Sequence, residues 1–456
     1  MTEKRVIALS SAAAVVSLVT ALGPSSAATA TPLALGPIVR VVSPGTSPCP
    51  DEGEPEVTQT RLGTWVAYND ARECPALPTT TRIEEVQLVP PHGPSRFIPL
   101  EAALGHAVGP DPALAPAPDG GVYLAGLETP STHLGAVSLQ VLHVNRHLHV
   151  VNLPSPSLHG RDNFDDKEFI AVDDNPASLY VGHLYVAWDD YDLGQVVLRT
   201  WDGVRWSKPV MLQGNAGAPD VAVGPDGTIA VAMRGPSRTG AVVRISHDGG
   251  RHFDRAVTAI KGLPPGRLDL ACPTGRATVG FRQRVILGAR LAFDANADLH
   301  VVATIGSFVG DVSRKLSAGP AIVAHAVLRD GRLLHSERVT RPTTDDQWEA
   351  SVAPLPTGGA AVSWLQTNGA ARDTYDAWIA VEGSGARTFA SPQRLSPTSS
   401  PFPAAPDAST MSDCYGIGDY IGMTATPHGV ATVWPTTDTD TPSVESDILL
   451  RTATPR

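Results

Sequence analysis

The chain has 456 residues, of which 42% are hydrophobic and 18% charged, so it is long and apolar enough to bury a large core. Its formal net charge of -11, with no basic tract, argues against nucleic acid or an anionic membrane surface as the main partner. Glycine (42) and proline (41) are spread along the chain, which is typical of many short strands and turns rather than of a disordered tract.

The N-terminal segment has the pattern of an export signal. Lys4 and Arg5 precede an apolar run over residues 6–22, and small residues follow up to Ala28-Thr29-Ala30. The run is short for a membrane span, which disfavours the alternative of an N-terminal anchor. We therefore predict a signal peptide over residues 1–30 and a secreted, soluble mature chain over residues 31–456 that has no membrane span and is a monomer.

Four cysteines fit an oxidising compartment. Cys49 and Cys74 flank one predicted hairpin, so a local disulfide is expected there. Cys272 and Cys414 then either pair across the fold or stay free. Metal binding by cysteine is the weaker interpretation, because no C-x-x-C spacing is present.

One sequence pattern recurs along the chain: a short apolar strand, a turn with Asp, Asn or Gly, and a second apolar strand. Copies recur at spacings of roughly 45 to 70 residues, which suits a four-stranded propeller blade. We predict an all-β fold, a single β-propeller of about seven blades, with six as the alternative. The copies span residues 56–70, 113–127, 168–190, 220–233, 290–304, 349–365 and 420–434.

The two ends of the mature chain are expected to share one blade. Residues 447–451 supply a third strand, and the chain stops before a fourth. Residues 37–44 have the pattern of an outer strand, so their pairing with the C-terminal strand closes the ring and removes an open sheet edge. The alternative is a mobile N-terminal arm.

A short motif in the fourth copy points to a known family. Ser246, Asp248, Gly250 and Phe253 have the spacing S-x-D-x-G-x-x-F, and degenerate versions lie at residues 201–206, 329–332 and 383–389. This spacing resembles the Asp box, or bacterial neuraminidase repeat, of sialidase-like propellers. The resemblance implies a propeller in which these residues form outer turns with a structural role. The Arg-Ile-Pro segment expected of true sialidases is missing from the sequence.

Strand order predicts where chemistry lies. Inner strands begin, and second strands end, at one face of a propeller, and acidic residues accumulate at these points. Facing carboxylates suit glycoside hydrolysis, whereas converging ones suit Ca²⁺, and both compete with simple capping of strand ends. The predicted catalytic pool is Asp166, Glu168, Asp189, Asp190, Glu349 and Asp419. Trp188, Trp348 and Tyr420 are predicted sugar platforms, and Arg72, Arg276 and Arg282 are predicted ligands of an anionic group.

The functional prediction is a secreted propeller that acts on an extracellular glycan or glycoprotein, as a glycoside hydrolase or polysaccharide lyase. The alternative is a noncatalytic binding or adhesion propeller stabilised by Ca²⁺, the one cofactor considered. His143, His147 and His149 could bind a metal, but exposed strand histidines are the better interpretation.

Overall fold

The computed structural model describes residues 33–41, 52–71, 82–106, 108–128, 137–159, 164–214, 217–235, 240–262, 267–268, 277–279, 283–284, 288–306, 319–369, 373–402, 417–437 and 446–455. Seven antiparallel sheets of four main strands each form a β-propeller, which confirms the predicted fold class. Every predicted copy of the repeat is the inner hairpin of one blade.

The first three blades follow one another along the chain. Blade 1 contains β2 (Glu52–Thr60), β3 (Gly63–Ala71), β4 (Arg82–Val89) and β5 (Arg96–Ile98). A short helix, α1 (Leu100–Leu104), leads to blade 2, which contains β6 (Ala113–Pro116), β7 (Val122–Glu128), β8 (Ser138–Val144) and β9 (Val150–Asn152). Blade 3 contains β10 (Asp165–Val172), β11 (Leu184–Asp190), β12 (Gln195–Trp201) and β13 (Val210–Gly214).

The remaining blades complete the ring. Blade 4 contains β14 (Asp220–Val223), β15 (Ile229–Arg234), β16 (Ala241–Ser246) and β17 (Val257–Ile260), followed by a small sheet of β18 (Arg267–Leu268), β19 (Ala277–Val279) and β20 (Gln283–Arg284). Blade 5 contains β21 (Ala289–Phe293), β22 (Leu299–Gly306), β23 (Ala321–Arg329) and β24 (Arg332–Arg338). Blade 6 contains β25 (Gln347–Pro354), β26 (Gly359–Thr367), β27 (Thr374–Gly383) and β28 (Gln393–Arg394), and β29 (Ser400–Pro401) also pairs with β27. Blade 7 contains β30 (Gly422–Thr426), β31 (Gly429–Thr437), β32 (Ser446–Pro455) and β1 (Leu33–Val41).

Blade 4 shows why the repeated turn residues form hairpins. Between β14 and β15, the Asp226 carboxylate accepts the Thr228 amide at 3.0 Å, and Gly227 has a φ of 80°, which costs little only for glycine. A Cβ on Gly227 would lie 2.7 Å from Ser178 Oγ in blade 3. The turn therefore requires glycine both for its backbone conformation and for its contact with the neighbouring blade.

Neighbouring blades bury a large side chain at one repeated position of the second strand. The residue there is buried between its own blade and the preceding one, where it joins a hydrophobic cluster that spans the two sheets. Five blades use this position for Tyr68, Trp188, Met233, Trp364 and Trp434. Burial of aromatic and aliphatic surface between sheets, at about 25 cal/mol per Å², is thus the main cohesion of the ring.

The N-terminal strand closes the ring, as predicted. β1 pairs antiparallel with β32, from Leu33 opposite Pro455 to Val41 opposite Ile448. The described strand covers residues 33–41 rather than 37–44, because pairing begins earlier and continues across an irregularity between Leu35 and Ile38. β1 is therefore the outer strand of blade 7.

The turn at residues 246–253 is closed by side-chain oxygens. Asp248 Oδ1 accepts the amides of Arg251 and His252 at 3.1 and 2.9 Å, and Ser246 Oγ accepts the Gly250 amide at 3.1 Å. Phe253 packs against the core between blades 3 and 4. The outer strand of this blade starts at Val257, because the capped turn extends beyond the hairpin tip.

The cysteine predictions lie outside the described residues. This holds for the proposed Cys49–Cys74 disulfide and equally for Cys272 and Cys414. Within the described part of the chain, no helix is long and apolar enough to span a membrane.

The closure by β1 predicts a truncation phenotype. A chain beginning at residue 42 lacks β1 and exposes the edge of β32, so we expect a lower melting temperature and concentration-dependent aggregation relative to a chain beginning at residue 33. Thermal unfolding and light scattering of the two truncations measure this. Equal stability and solubility would show that β1 is dispensable.

Candidate active site at the mouth of the channel

Inner-strand starts and second-strand ends meet at one face of the ring. In blade 3, Asp165 lies opposite Asp190 and Asp166 opposite Asp189. Because all seven inner hairpins are antiparallel and repeat around the axis, the same positions in every blade surround one mouth of the central channel.

A β-bulge repeats at this mouth. The ladder between the inner and second strands shifts register in blades 1, 3 and 6, and each shift contains one non-glycine residue with positive φ. These residues are Glu54 (52°), Lys167 (56°) and Glu349 (49°). Positive φ is uncommon for such side chains, and conformations of this kind cluster at binding and active sites.

The bulges of blades 3 and 6 border a small, partly open pocket at the channel mouth, with a cavity volume of about 30 Å³. Charged groups and aromatic rings from four blades line it together with small residues. The charged and aromatic members of the lining are Lys167, Phe169, Arg290, Glu349, Asp419 and Tyr420. Convergent polar groups with aromatic neighbours are a common feature of ligand sites, so the composition of this lining makes it the candidate site.

Lys167 is the centre of the charge network beside the pocket. Its Nζ lies 2.6 Å from Asp111 Oδ2, 2.9 Å from Asp419 Oδ2 and 3.9 Å from Asp166 Oδ1. The lysine side chain is 8% exposed, so these contacts are shielded from water. One ammonium therefore links the inner-strand starts of blades 2, 3 and 7.

The carboxyl groups around Lys167 differ in their proton affinity. Burial raises the pKa of Glu54 and of Glu168 well above the usual range. Burial also raises the pKa of Asp166 to about 7, although Lys167 opposes the shift. Burial alone would raise the pKa of Asp111 too, but the charge of Lys167 together with hydrogen bonds to Glu54, Lys167 and Asp166 holds it well below the usual value. The cluster thus combines an ionised carboxylate with carboxyl groups that retain a proton near neutral pH.

A second group of ion pairs, centred on Arg290, lies further along the inner strands. Arg290 Nη2 contacts Glu56 Oε1 at 2.5 Å, and its Nε lies 3.4 Å from Asp220 Oδ2. The guanidinium also lies over the Phe169 ring, 4.0 Å from its centroid. Phe169 in turn meets Tyr420 edge-on, with ring centroids 5.4 Å apart, which is a favourable arrangement for aromatic pairs. Arg290 therefore ties blades 1, 4 and 5 together beside the pocket.

Three of the predicted catalytic residues lie at this pocket. Glu349 and Asp419 line it, and Asp166 lies beside Lys167 with a side chain that is 24% exposed. Tyr420, predicted to bind substrate, also lines the pocket, and its hydroxyl donates to the Pro112 carbonyl oxygen at 3.0 Å.

The other three predicted catalytic residues have different surroundings. Glu168 is buried and does not line the pocket. Asp189 accepts the Ala218 amide at 2.9 Å, and Asp190 accepts the Leu193 amide at 2.8 Å. Both aspartates therefore hold loop backbone, which is the structural alternative that the sequence left open.

The structure corrects the prediction for the tryptophans. Trp188 and Trp348 have no exposed surface and belong to hydrophobic clusters, and Trp188 Nε1 donates to Asp165 Oδ1 at 2.9 Å. Neither indole can offer a face to a sugar, because the blades pack on both sides. The three predicted arginine ligands, Arg72, Arg276 and Arg282, lie outside the described residues.

An exposed aromatic pair lies near Asp166 instead. Phe164 and Tyr191 are 42% and 52% exposed and pack edge-on with centroids 5.3 Å apart. Partial burial, with Asp166 and Asp189 nearby, raises the pKa of Tyr191 to about 12. Solvent-facing rings beside a carboxyl group can stack on a sugar.

Sequence reasoning missed Lys167, Arg290 and Asp111. Lys167 lies between two predicted catalytic residues, and a lone lysine among acids at an inner-strand start was a usable signal. Arg290 and Asp111 carried no comparable signal, because their partners come from other blades.

Ca²⁺ at the mouth stays an untested alternative. Three of the mouth carboxylates, those of Asp111, Asp166 and Asp419, surround the ammonium of Lys167, which disfavours a divalent cation beside them. His143 instead contacts Asp119 at 3.1 Å, while the His147 and His149 rings lie 6.4 Å apart on the surface. Among the described residues, the one grouping suited to a metal lies in blades 5 and 6.

Comparisons with known proteins support the fold. No protein-family model matches the chain, and no curated protein matches it. The polysaccharide lyase Uly1 is a similar solved structure, with 12% identity, coverage of 91% of this chain and 92% of that chain, and a TM-score of 0.51. The Penicillium chrysogenum alpha-L-arabinanase has 11% identity, coverage of 91% and 98%, and a TM-score of 0.46. The Hadza microbial sialidase Hz136 has 13% identity, coverage of 86% and 74%, and a TM-score of 0.42.

The Lys167 network predicts a stability effect. Lys167→Met removes the ammonium and leaves Asp111 and Asp419 as buried carboxylates without it, so we expect a loss of about 3–5 kcal/mol in the free energy of unfolding. Denaturant titration measures this, with Lys208→Met at an exposed lysine as the control. An unchanged midpoint for Lys167→Met would contradict the role of the network.

The pKa of Asp166 predicts a pH dependence of stability. Its folded-state value of about 7 exceeds the ordinary value of 3.8, so the folded state favours the protonated form. The resulting stabilisation is complete below about pH 4 and is lost as the pH rises through 7. Between pH 5 and pH 8, we expect the melting temperature of Asp166→Asn to fall less than that of the wild type. Asp174→Asn, at an exposed aspartate, is the control and should follow the wild type.

Proposed function

We propose that this protein is a secreted glycoside hydrolase that acts on an extracellular glycan at the mouth pocket. The observation that carries the proposal is the pairing of Asp166 and Asp419 around one lysine, beside an open pocket with aromatic walls. Glycoside hydrolysis needs one carboxyl group that donates a proton and one carboxylate that acts as nucleophile or base. The export signal over residues 1–30 supports an extracellular substrate.

Asp166 is the proton donor in this proposal. Its pKa of about 7 keeps it protonated in mildly acidic solution, and its side chain is partly exposed. A donor with a pKa near the working pH can protonate the glycosidic oxygen and then lose that proton readily.

Asp419 is the partner that acts as nucleophile or base. Its Oδ2 lies 2.9 Å from Lys167 Nζ, and Asp166 Oδ1 lies 3.9 Å from the same atom. Two carboxyl groups held by one ammonium are close enough to flank a single glycosidic bond. Glu349, which also lines the pocket, accepts hydrogen bonds from sugar hydroxyls, and Tyr191 with Phe164 stacks on the sugar ring.

The described pocket suits an uncharged or amino sugar better than a sialic acid or uronate. Lys167 and Arg290 are the cations in its lining, and each already pairs with at least two carboxylates. A substrate carboxylate would have to compete with these acids. The hydrolase assignment is likewise favoured over a lyase, because a lyase must neutralise a uronate.

A glycan panel tests the proposal. Purified protein is incubated with neutral, amino-sugar, sialylated and uronic-acid glycans, and reducing ends and unsaturated products are measured separately. We expect reducing ends from neutral or amino-sugar glycans, without ultraviolet absorbance from an unsaturated uronate. Unsaturated products would identify a lyase, and binding without turnover on any glycan would support the noncatalytic binding propeller.

The role of Asp166 predicts a substrate-dependent defect. Asp166→Asn should lower kcat by about 10²–10⁴ on a natural glycan, because no group protonates the leaving oxygen. An aryl glycoside with an acidic phenol as leaving group needs no such proton, so the variant should retain most of its activity on it. Glu128→Gln, a carboxylate at the same face but outside the pocket lining, is the control. An equal loss on both substrates would reject Asp166 as the donor.

A further inference from the structure

Four side chains converge between the outer halves of blades 5 and 6, away from the mouth pocket. His325 comes from β23, His335 and Glu337 from β24, and Glu382 from β27. One nitrogen or oxygen atom from each lies within 4.8 Å of every other. His335 and Glu337 are two residues apart on a strand, so both point to the same face of the sheet.

The contacts within the cluster are close but are not hydrogen bonds. His335 Nε2 lies 3.4 Å from Glu382 Oε1, and His325 Nδ1 lies 3.6 Å from Glu382 Oε2. Glu337 Oε1 lies 3.8 Å from His335 Nε2 and 3.9 Å from His325 Nδ1. These atoms are buried, and none of them has a hydrogen-bond partner.

Burial makes this arrangement costly without a cation. The His325 side chain has no exposed surface and the Glu382 side chain is 2% exposed. Buried polar atoms normally have partners, and a buried carboxylate without one is strongly disfavoured. Two imidazoles and two carboxylates that face one another supply several lone pairs and need a positive centre between them.

A supporting residue sets the orientation of one imidazole. His300 Nδ1 lies 3.0 Å from His325 Nε2, and the two rings stack with centroids 5.3 Å apart. If Nε2 of His325 donates this hydrogen bond, its Nδ1 lone pair points into the cluster. Asp294 Oδ2, 3.9 Å from His300 Nε2, extends the chain, and such outer carboxylate and histidine partners commonly orient metal-binding histidines.

We propose that His325, His335, Glu337 and Glu382 bind a divalent transition metal, zinc foremost, in a closed site that joins blade 5 to blade 6. A tetrahedral zinc ion with bonds of about 2.0–2.1 Å places its ligand atoms about 3.3 Å apart. The four histidine–glutamate contacts of 3.4 to 3.9 Å are slightly longer, and all four ligand atoms lie within 4.8 Å of one another, so modest side-chain movements of about 1 Å or less bring them to bonding distance of one ion.

The donor set selects the metal and the role. Imidazole nitrogens favour zinc and similar ions over Ca²⁺, which prefers oxygen ligands throughout. Four protein ligands leave no open position for water or substrate, which is the arrangement of a structural site. The half-buried His335 and Glu337 give an ion access from the surface.

Metal content and spectroscopy test the site on the full chain. After treatment with a chelator and dialysis against Zn²⁺, we expect about one zinc per chain and a higher melting temperature. Co²⁺ in place of Zn²⁺ should give the intense visible absorption of tetrahedral coordination. Substoichiometric zinc, or a Co²⁺ spectrum like that of the hydrated ion, would overturn the proposal.

Variants locate the ion. His335→Ala and Glu337→Gln change the two partly exposed ligands, so the propeller should fold while zinc affinity falls at least tenfold and the zinc-dependent rise in melting temperature shrinks. His147→Ala with His149→Ala alters exposed histidines of blade 2 and should leave both properties unchanged. Wild-type affinity in both ligand variants, or loss of zinc in the blade 2 variant, would reject this location.

Discussion

Ring closure by β1 is the constraint on which the rest of the structure depends. The last sheet has three strands from the C-terminal part of the chain, and β1 supplies the fourth. Every blade buries residues against both neighbours, so an open ring would expose two apolar faces. Closure also fixes the distance of each inner strand from the axis. The side chains at the mouth can meet only because all seven blades hold that distance.

The pocket depends on a local departure from regular strand geometry. Bulges in blades 1, 3 and 6 give Glu54, Lys167 and Glu349 a left-handed backbone at corresponding positions. Each such conformation costs on the order of 1 kcal/mol, and the surrounding ladders offset the cost. The contacts of Lys167 with blades 2 and 7 depend on this geometry. Two of the three strained residues, Lys167 and Glu349, therefore line the pocket.

Much of the fold could be predicted from the sequence, because each blade is a local repeat of strands and turns. The closing strand was also visible, since residues 37–44 had the pattern of an unpaired outer strand. The candidate site was harder to predict from the sequence. Trp188 stands next to two aspartates in the sequence, yet strand alternation turns its ring into the core between blades 2 and 3. Contacts such as Arg290 with Glu56 join residues far apart in the chain, and no local pattern encodes them.

The pairing of Leu33 with Pro455 has a consequence for the order of events in biogenesis. β32 is synthesised last, so β1 can pair with it only after almost the entire chain has been made. The first six sheets can therefore assemble during synthesis, before the seventh is complete. The closing contact joins residues very distant in sequence, and such contacts form slowly because of the entropy of closing a long loop. Completion of the seventh blade is therefore expected to be a late step of folding, which separates a partly assembled chain with an open edge from a finished ring.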